Sequence, residues 1–112
     1  MSVDFAGGLE IDVATLQRLR AEGVDIQLLA VREDWERAIC LIDGSIEIAM
    51  GALPGSLARL DAARPVVALC HHGARSLRVA SWLRQQGYAQ AVSLKGGIDA
   101  WSRLIDQAVP RY

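Results

Sequence analysis

The chain has 112 residues, of which 52% are apolar, and a formal net charge of −1 from 12 basic and 13 acidic side chains. This length suits one domain with a core of its own, and the apolar fraction excludes a disordered chain. The near-neutral charge, with arginines spread along the sequence, argues against a nucleic-acid partner. The apolar runs are too short to span a bilayer, so we expect no membrane partner either.

The first ten residues, MSVDFAGGLE, have neither a basic segment nor an apolar segment of the kind that begins a secretory signal. We therefore expect a cytoplasmic protein. Cys40 and Cys70 lie far apart without a CxxC pairing, and in a reducing compartment both are expected to be free thiols.

The first half of the chain begins with a helix signal. Asp12 is a suitable N-cap for a helix over residues 13–22, with Gly23 just past its end. The continuous apolar run IQLLAV, 26–31, predicts a strand covered on both faces. Beyond it, REDWERAI predicts a short helix, IEIAM a short strand, and ALPGSLARLD a connector with a short helix.

The second half is more regular. PVVALC, 65–70, predicts a buried strand, and RSLRVASWLRQQ, 75–86, predicts a helix with Leu77 on its inward face. AVSL, 91–94, predicts another buried strand, and a final helix follows the break at KGG. Strands that alternate with helices indicate an α/β domain with a mainly parallel sheet. Ligands of such sheets bind at the carboxyl ends of strands, where Cys70 lies.

Cys70 ends a strand and begins the loop CHHGAR, which runs into a helix. The thiolate is the nucleophilic form of cysteine, and a free thiol with a pKa of about 8.5 is mostly protonated at neutral pH. A helix N-terminus and a loop of inward-facing amides both stabilise an anion. Cys70 is therefore a candidate nucleophile, against the alternative of a small buried apolar residue.

Two other loop residues support this interpretation. Gly73 is suited to a tight turn that needs a positive φ or a close backbone approach. Arg75 supplies a permanent charge in a planar fork, which either binds an oxyanion such as thiosulfate or ties the loop to the sheet. The Cys-x4-Arg spacing is one residue shorter than the Cys-x5-Arg loop of cysteine phosphatases, so it favours a single added sulfur atom over a phosphoryl group.

CHHGARS resembles the active-site loop of single-domain rhodaneses, which are sulfurtransferases. LLAVREDWERAICLIDGSIEIAM and LKGGIDAW resemble the upstream and downstream signatures of that family. The likeness covers a domain of residues 10–112, preceded by a lead-in of residues 1–9. The sequence departs from the family pattern at Ala30, where most members have Asp, and at Leu41, where many have His.

The resemblance implies a single rhodanese-like domain, with a central five-stranded, mainly parallel sheet flanked by helices on both faces. It implies that Cys70 accepts a sulfane sulfur from a small-molecule donor such as thiosulfate, holds it as a persulfide, and passes it to a thiophilic acceptor such as cyanide. The amides of six loop residues would hold the persulfide, with no cofactor and no metal: His71, His72, Gly73, Ala74, Arg75 and Ser76.

Alternatives remain for the whole protein and for single residues. A sulfur carrier or non-catalytic binding module that docks on a sulfur-accepting protein is one, and a phosphatase or arsenate reductase on the same fold is another. His71 and His72 suggest a metal site with Cys70, but adjacent residues do not normally converge on one ion. Cys40 is either a resolving thiol or, as its apolar neighbours favour, a packed core residue.

Overall fold

The computed structural model describes residues 4–5 and 7–112, so the predicted lead-in of residues 1–9 lies partly outside the described residues. The described chain forms five strands, four α-helices and one 3₁₀ helix. In chain order these are β1 Glu10–Ile11, α1 Val13–Ala21, β2 Gln27–Ala30, α2 Asp34–Ile39, β3 Ile46–Glu47, the 3₁₀ helix Met50–Arg59, β4 Val66–Leu69, α3 Ala74–Gln85, β5 Ala91–Leu94 and α4 Gly97–Leu104.

All five strands belong to one parallel sheet in the order β1-β5-β4-β2-β3. The three long strands β2, β4 and β5 are buried at every position, which explains their continuous apolar sequences. Alternate strand residues point to opposite faces, where α1 and α4 cover one face and α3 and the 3₁₀ helix cover the other. The predicted α/β fold with helices on both faces of a five-stranded parallel sheet is confirmed.

Local chemistry accounts for the first helix. The Asp12 side chain accepts a hydrogen bond from the Thr15 amide at 2.8 Å, as its prediction as N-cap requires. Val13, Leu16 and Leu19 follow at helical spacing and are buried against the sheet. The apolar spacing and the cap together place this helix where the sequence predicted it.

One sequence interpretation needs correction, and one strand was missed. Leu77 is 37% exposed, and the buried residues of α3 are Ser76, Val79, Ala80 and Leu83. The hydroxyl of Ser76 has hydrogen-bond partners inside the protein, so the helix turns this residue inward and rotates Leu77 outward. Strand β1 was not predicted, because a two-residue strand is too short to show an alternating pattern.

None of the helices described here is both long enough and apolar enough to cross a membrane.

Candidate active site

Cys70 follows the last residue of β4, at the carboxyl edge of the sheet, and is 1% exposed. A four-residue loop, 70–73, separates the strand from α3. The carbonyl oxygens of Cys70 and His71 accept hydrogen bonds from the amides of Ile98 and Asp99, at 2.9 and 3.1 Å. The loop is therefore held between the beginnings of α3 and α4.

Glycines make this close approach possible. Gly73 has a φ of +109°, as predicted, and a Cβ there would lie 3.3 Å from the amide nitrogen of Gly96. A Cβ on Gly97 would overlap the carbonyl oxygens of both Cys70 and His71. The KGG segment thus does more than end a strand, because its second glycine packs directly against the loop.

The Cys70 sulfur lies among hydrogen-bond donors. The amide of Gly73 donates to Sγ at 3.1 Å, and Ser76 Oγ lies 3.5 Å from Sγ. Burial alone would raise the pKa of the Cys70 thiol. The hydrogen bonds from the Ser76 hydroxyl and from the amides of Ser76, Gly73 and Arg75 outweigh burial, so this pKa lies below its usual range. The site favours the nucleophilic form of cysteine.

Ser76 is supported in turn by Ser93. The two hydroxyl oxygens are 2.7 Å apart and both side chains are fully buried. In the thiol form, Cys70 Sγ–H donates to Ser76 Oγ, and Ser76 donates to the Gly73 carbonyl oxygen at 3.2 Å. When the thiol loses its proton, the Ser76 hydroxyl can donate to the sulfur instead, and Ser93 can then donate to Ser76. The sequence predicted a role for the Ser76 amide only, and it carried no signal for Ser93.

Arg75 binds Glu36 of α2 through both terminal nitrogens, at 2.6 and 2.8 Å. This bidentate pair resembles the second of the two roles predicted for Arg75, except that the loop is tied to α2 and not to the sheet. Arg75 is the main cause that lowers the pKa of Glu36, to about 2. The carboxylate is 2% exposed, so its charge depends on this partner.

The two histidines lie side by side. The rings of His71 and His72 stack with centroids 3.9 Å apart, and the ring of Tyr112 stacks on His71 at the same distance. His72 is exposed and His71 is half-buried. Within the described part of the chain, neither imidazole forms a hydrogen bond with the Cys70 sulfur.

Asp99 completes a group with His71 and His72 whose possible ligand atoms all lie within 4.8 Å of one another. Nothing in the sequence assigns chemistry to Asp99, so this third residue is a finding of the structure. The faces of the two imidazoles are in contact, with centroids 3.9 Å apart and an interplanar angle of 30°, so no ion fits between them. Both carboxylate oxygens of Asp99 also accept hydrogen bonds, from Arg103 and Arg111. The donor set therefore fits a metal poorly.

Cys40 is 7% exposed and belongs to the core cluster on the face opposite to that of Cys70. The packed position predicted for Cys40 is confirmed. Its sulfur lies near Arg32, which donates to the Cys40 carbonyl oxygen at 2.8 Å. The sheet between the two cysteines argues against a resolving thiol.

Residues 12–104 match the family model of the rhodanese-like domain. The chain belongs to the rhodanese-like domain family. A sulfurtransferase of Allochromatium vinosum is 35% identical over 84% of this chain and 88% of its own length. The thiosulfate sulfurtransferase GlpE of Pseudomonas aeruginosa is 31% identical over 77% of this chain and 76% of its own length. These relatives support a sulfurtransferase function at the level of the family.

Solved rhodanese-like structures share this fold. A rhodanese-like domain protein from Staphylococcus aureus matches with a TM-score of 0.81 and 27% identity, over 94% of this chain and 99% of its own. The human single-domain sulfurtransferase TSTD1 matches with a TM-score of 0.75 and 25% identity, over 88% of this chain and 98% of its own.

Proposed function

We propose that this rhodanese-like protein moves a sulfane sulfur from thiosulfate, or another small-molecule donor, to a thiophilic acceptor such as cyanide, through a persulfide on Cys70. The observation that carries the proposal is the position of the Cys70 sulfur inside a loop whose amides lower its pKa. The thiosulfate sulfurtransferase named among the relatives supports the choice of donor. A sulfur-accepting protein is a second class of acceptor for the same persulfide.

The proposed reaction has two displacement steps. The Cys70 thiolate attacks the outer sulfur of thiosulfate, a new S–S bond forms, and sulfite leaves with the electron pair of the broken S–S bond. Cyanide then attacks the outer sulfur of the persulfide. Thiocyanate forms, and the electron pair of that S–S bond returns to Cys70 as the thiolate. The scheme needs no metal and no organic cofactor.

The residues after Cys70 are assigned to holding the transferred sulfur. Negative charge moves to the outer sulfur of the persulfide, and backbone amides would stabilise it by donating hydrogen bonds. These are the amides of His71, His72, Gly73, Ala74, Arg75 and Ser76. Arg75 would fix the loop through Glu36, since both of its terminal nitrogens already bind that carboxylate. The hydroxyl of Ser76, 3.5 Å from the sulfur, would donate to the thiolate form of Cys70.

The test is thiocyanate formation from thiosulfate and cyanide by wild-type protein, by Cys70→Ser and by Cys40→Ser. We expect turnover by the wild type and Cys40→Ser, and none by Cys70→Ser. Mass spectrometry should show a gain of one sulfur on Cys70 after treatment with thiosulfate. A wild type that neither turns over nor gains sulfur from any donor would contradict the proposal and favour the binding-module alternative.

A further inference from the structure

Tyr112 contacts the Cys70 loop from two directions although it is distant from the loop in sequence. Its ring stacks on His71, with centroids 3.9 Å apart and an interplanar angle of 13°. Its hydroxyl donates to Glu36 Oε2 at 2.7 Å, and the same carboxylate holds Arg75. One tyrosine therefore acts on the loop at His71 and, through Glu36, on Arg75 in the first turn of α3.

The hydroxyl of Tyr112 also connects two ion pairs. It accepts a hydrogen bond from Arg32 at 3.4 Å, and Arg32 pairs with Glu47 at 2.7 Å. Burial is the largest cause that raises the pKa of Tyr112, to about 12, so the hydroxyl keeps its proton throughout the neutral range. The hydroxyl can therefore donate to Glu36 and accept from Arg32 at the same time.

The position of the His71 side chain depends on its contacts with neighbouring rings. Its Nε2 is buried and has no hydrogen-bond partner among the described residues. The ring is enclosed between His72, which is exposed, and Tyr112, which is half-buried. Loss of the Tyr112 ring would leave this loop side chain without its more buried neighbour.

We propose that Tyr112 is a positioning residue for Cys70: it holds His71 by stacking and Arg75 through Glu36, and so keeps the loop amides directed at the sulfur. Its part in sulfur transfer rests on the function proposed above. Tyr112 touches no reacting atom. Its effect reaches the sulfur through the amides of Gly73, Arg75 and Ser76, whose hydrogen bonds stabilise the thiolate.

The experiment compares Tyr112→Phe, Tyr112→Leu and, as a matched control, Tyr88→Phe. Tyr88 is a buried tyrosine whose hydroxyl donates to the Leu57 carbonyl oxygen, at 3.3 Å. The first readout is the pH dependence of alkylation of Cys70 by iodoacetamide, with mass spectrometry to locate the label. The second is kcat and KM for thiosulfate with cyanide as acceptor.

We expect Tyr112→Leu to move the alkylation midpoint to higher pH and to lower kcat/KM by about tenfold, mainly through kcat, because small displacements of preorganised donors are costly. Tyr112→Phe keeps the stack and loses the bond to Glu36, so a loss of about threefold and a smaller shift are expected. Tyr88→Phe should stay within about twofold of the wild type on both readouts.

A folded Tyr112→Leu protein with the wild-type midpoint and wild-type kcat would overturn the inference. If Tyr112→Leu does not fold, Tyr112→Phe becomes the deciding variant. The inference would then be overturned if Tyr112→Phe had the same alkylation midpoint and the same kcat and KM as Tyr88→Phe. Alkylation does not require sulfur transfer. A wild type that neither turns over nor gains sulfur from any donor would therefore contradict the proposed function, while the alkylation midpoints would still decide the role of Tyr112.

Discussion

The hydroxyl of Ser93, in the middle of the sheet, lies 2.7 Å from the hydroxyl of Ser76, and Ser76 in turn lies 3.5 Å from the Cys70 sulfur. All three side chains are almost completely buried. A buried hydroxyl pair next to a buried sulfur gives the thiolate a donor that water cannot replace. The sheet therefore contributes directly to the chemistry of the loop.

Removal of the Ser76 hydroxyl should move the pH midpoint of Cys70 alkylation upward, because this hydroxyl is the largest of the contributions that lower the pKa. A hydrogen bond to a charged group is worth about 1.5–3 kcal/mol, so Ser76→Ala should also lower kcat by about tenfold or more. Ser93→Ala should shift the midpoint in the same direction by less. Ser81→Ala, on the same helix, is the control, and a Ser76→Ala midpoint equal to it would disprove this role.

A side chain at position 97 should force the loop and α4 apart. Gly97 has a φ of +62°, and a Cβ would overlap two loop carbonyl oxygens. Gly97→Ala should therefore lower the free energy of unfolding by about 3 kcal/mol, from the left-handed conformation and overpacking together. Urea unfolding measures this change.

Gly51→Ala is the matched control, because the space around a Cβ at Gly51 is open. It should change the free energy of unfolding by less than about 1 kcal/mol. If Gly97→Ala and Gly51→Ala lost similar amounts of unfolding free energy, the contact of position 97 with the loop could not explain the loss.

The ion pair of Glu36 with Arg75 should make stability depend on pH in the acid range. The folded-state pKa of Glu36 is about 2, below its ordinary value of 4.5. The stability that ionised Glu36 contributes is therefore fully present above about pH 5 and is lost as the pH falls toward 2. The shift corresponds to about 3 kcal/mol, measured as the free energy of unfolding between pH 7 and pH 2.

Glu36→Gln should remove most of this pH-dependent loss and should be less stable than the wild type at pH 7 by a similar amount. Glu22→Gln removes one partner of an exposed pair with Arg18 and should have little effect. An acid transition that is the same in Glu36→Gln and wild type would show that another carboxylate controls it.

Arg75→Lys separates the two roles considered for Arg75. Lysine keeps the positive charge and loses the bidentate geometry. The structural ion pair with Glu36 would therefore be weakened, while a contact with the thiosulfate anion would partly survive. We expect a lower free energy of unfolding, by about 1–2 kcal/mol, and a lower kcat with a nearly unchanged KM for thiosulfate. A large rise in KM with normal stability would instead assign Arg75 to substrate binding.

The sequence by itself determined the order of the helices and of every strand after β1, the parallel sheet, the place of Cys70 at a strand end, and the need for glycine at 73. These features depend on local signals: apolar runs of strand length, a helix cap, and a turn that requires positive φ. Each signal lies within a few residues of the structure that it specifies.

Only the tertiary structure decided which side chains surround the loop. Arg75 meets Glu36, Ser76 meets Ser93, and His71 meets Tyr112, and each pair is far apart in sequence. Single polar or aromatic residues carry no periodic signal, so their partners depend on how helices dock on the sheet. Leu77 shows the same limit, because a buried hydrogen bond of Ser76 set the rotation of α3 where hydrophobicity alone favoured a different face.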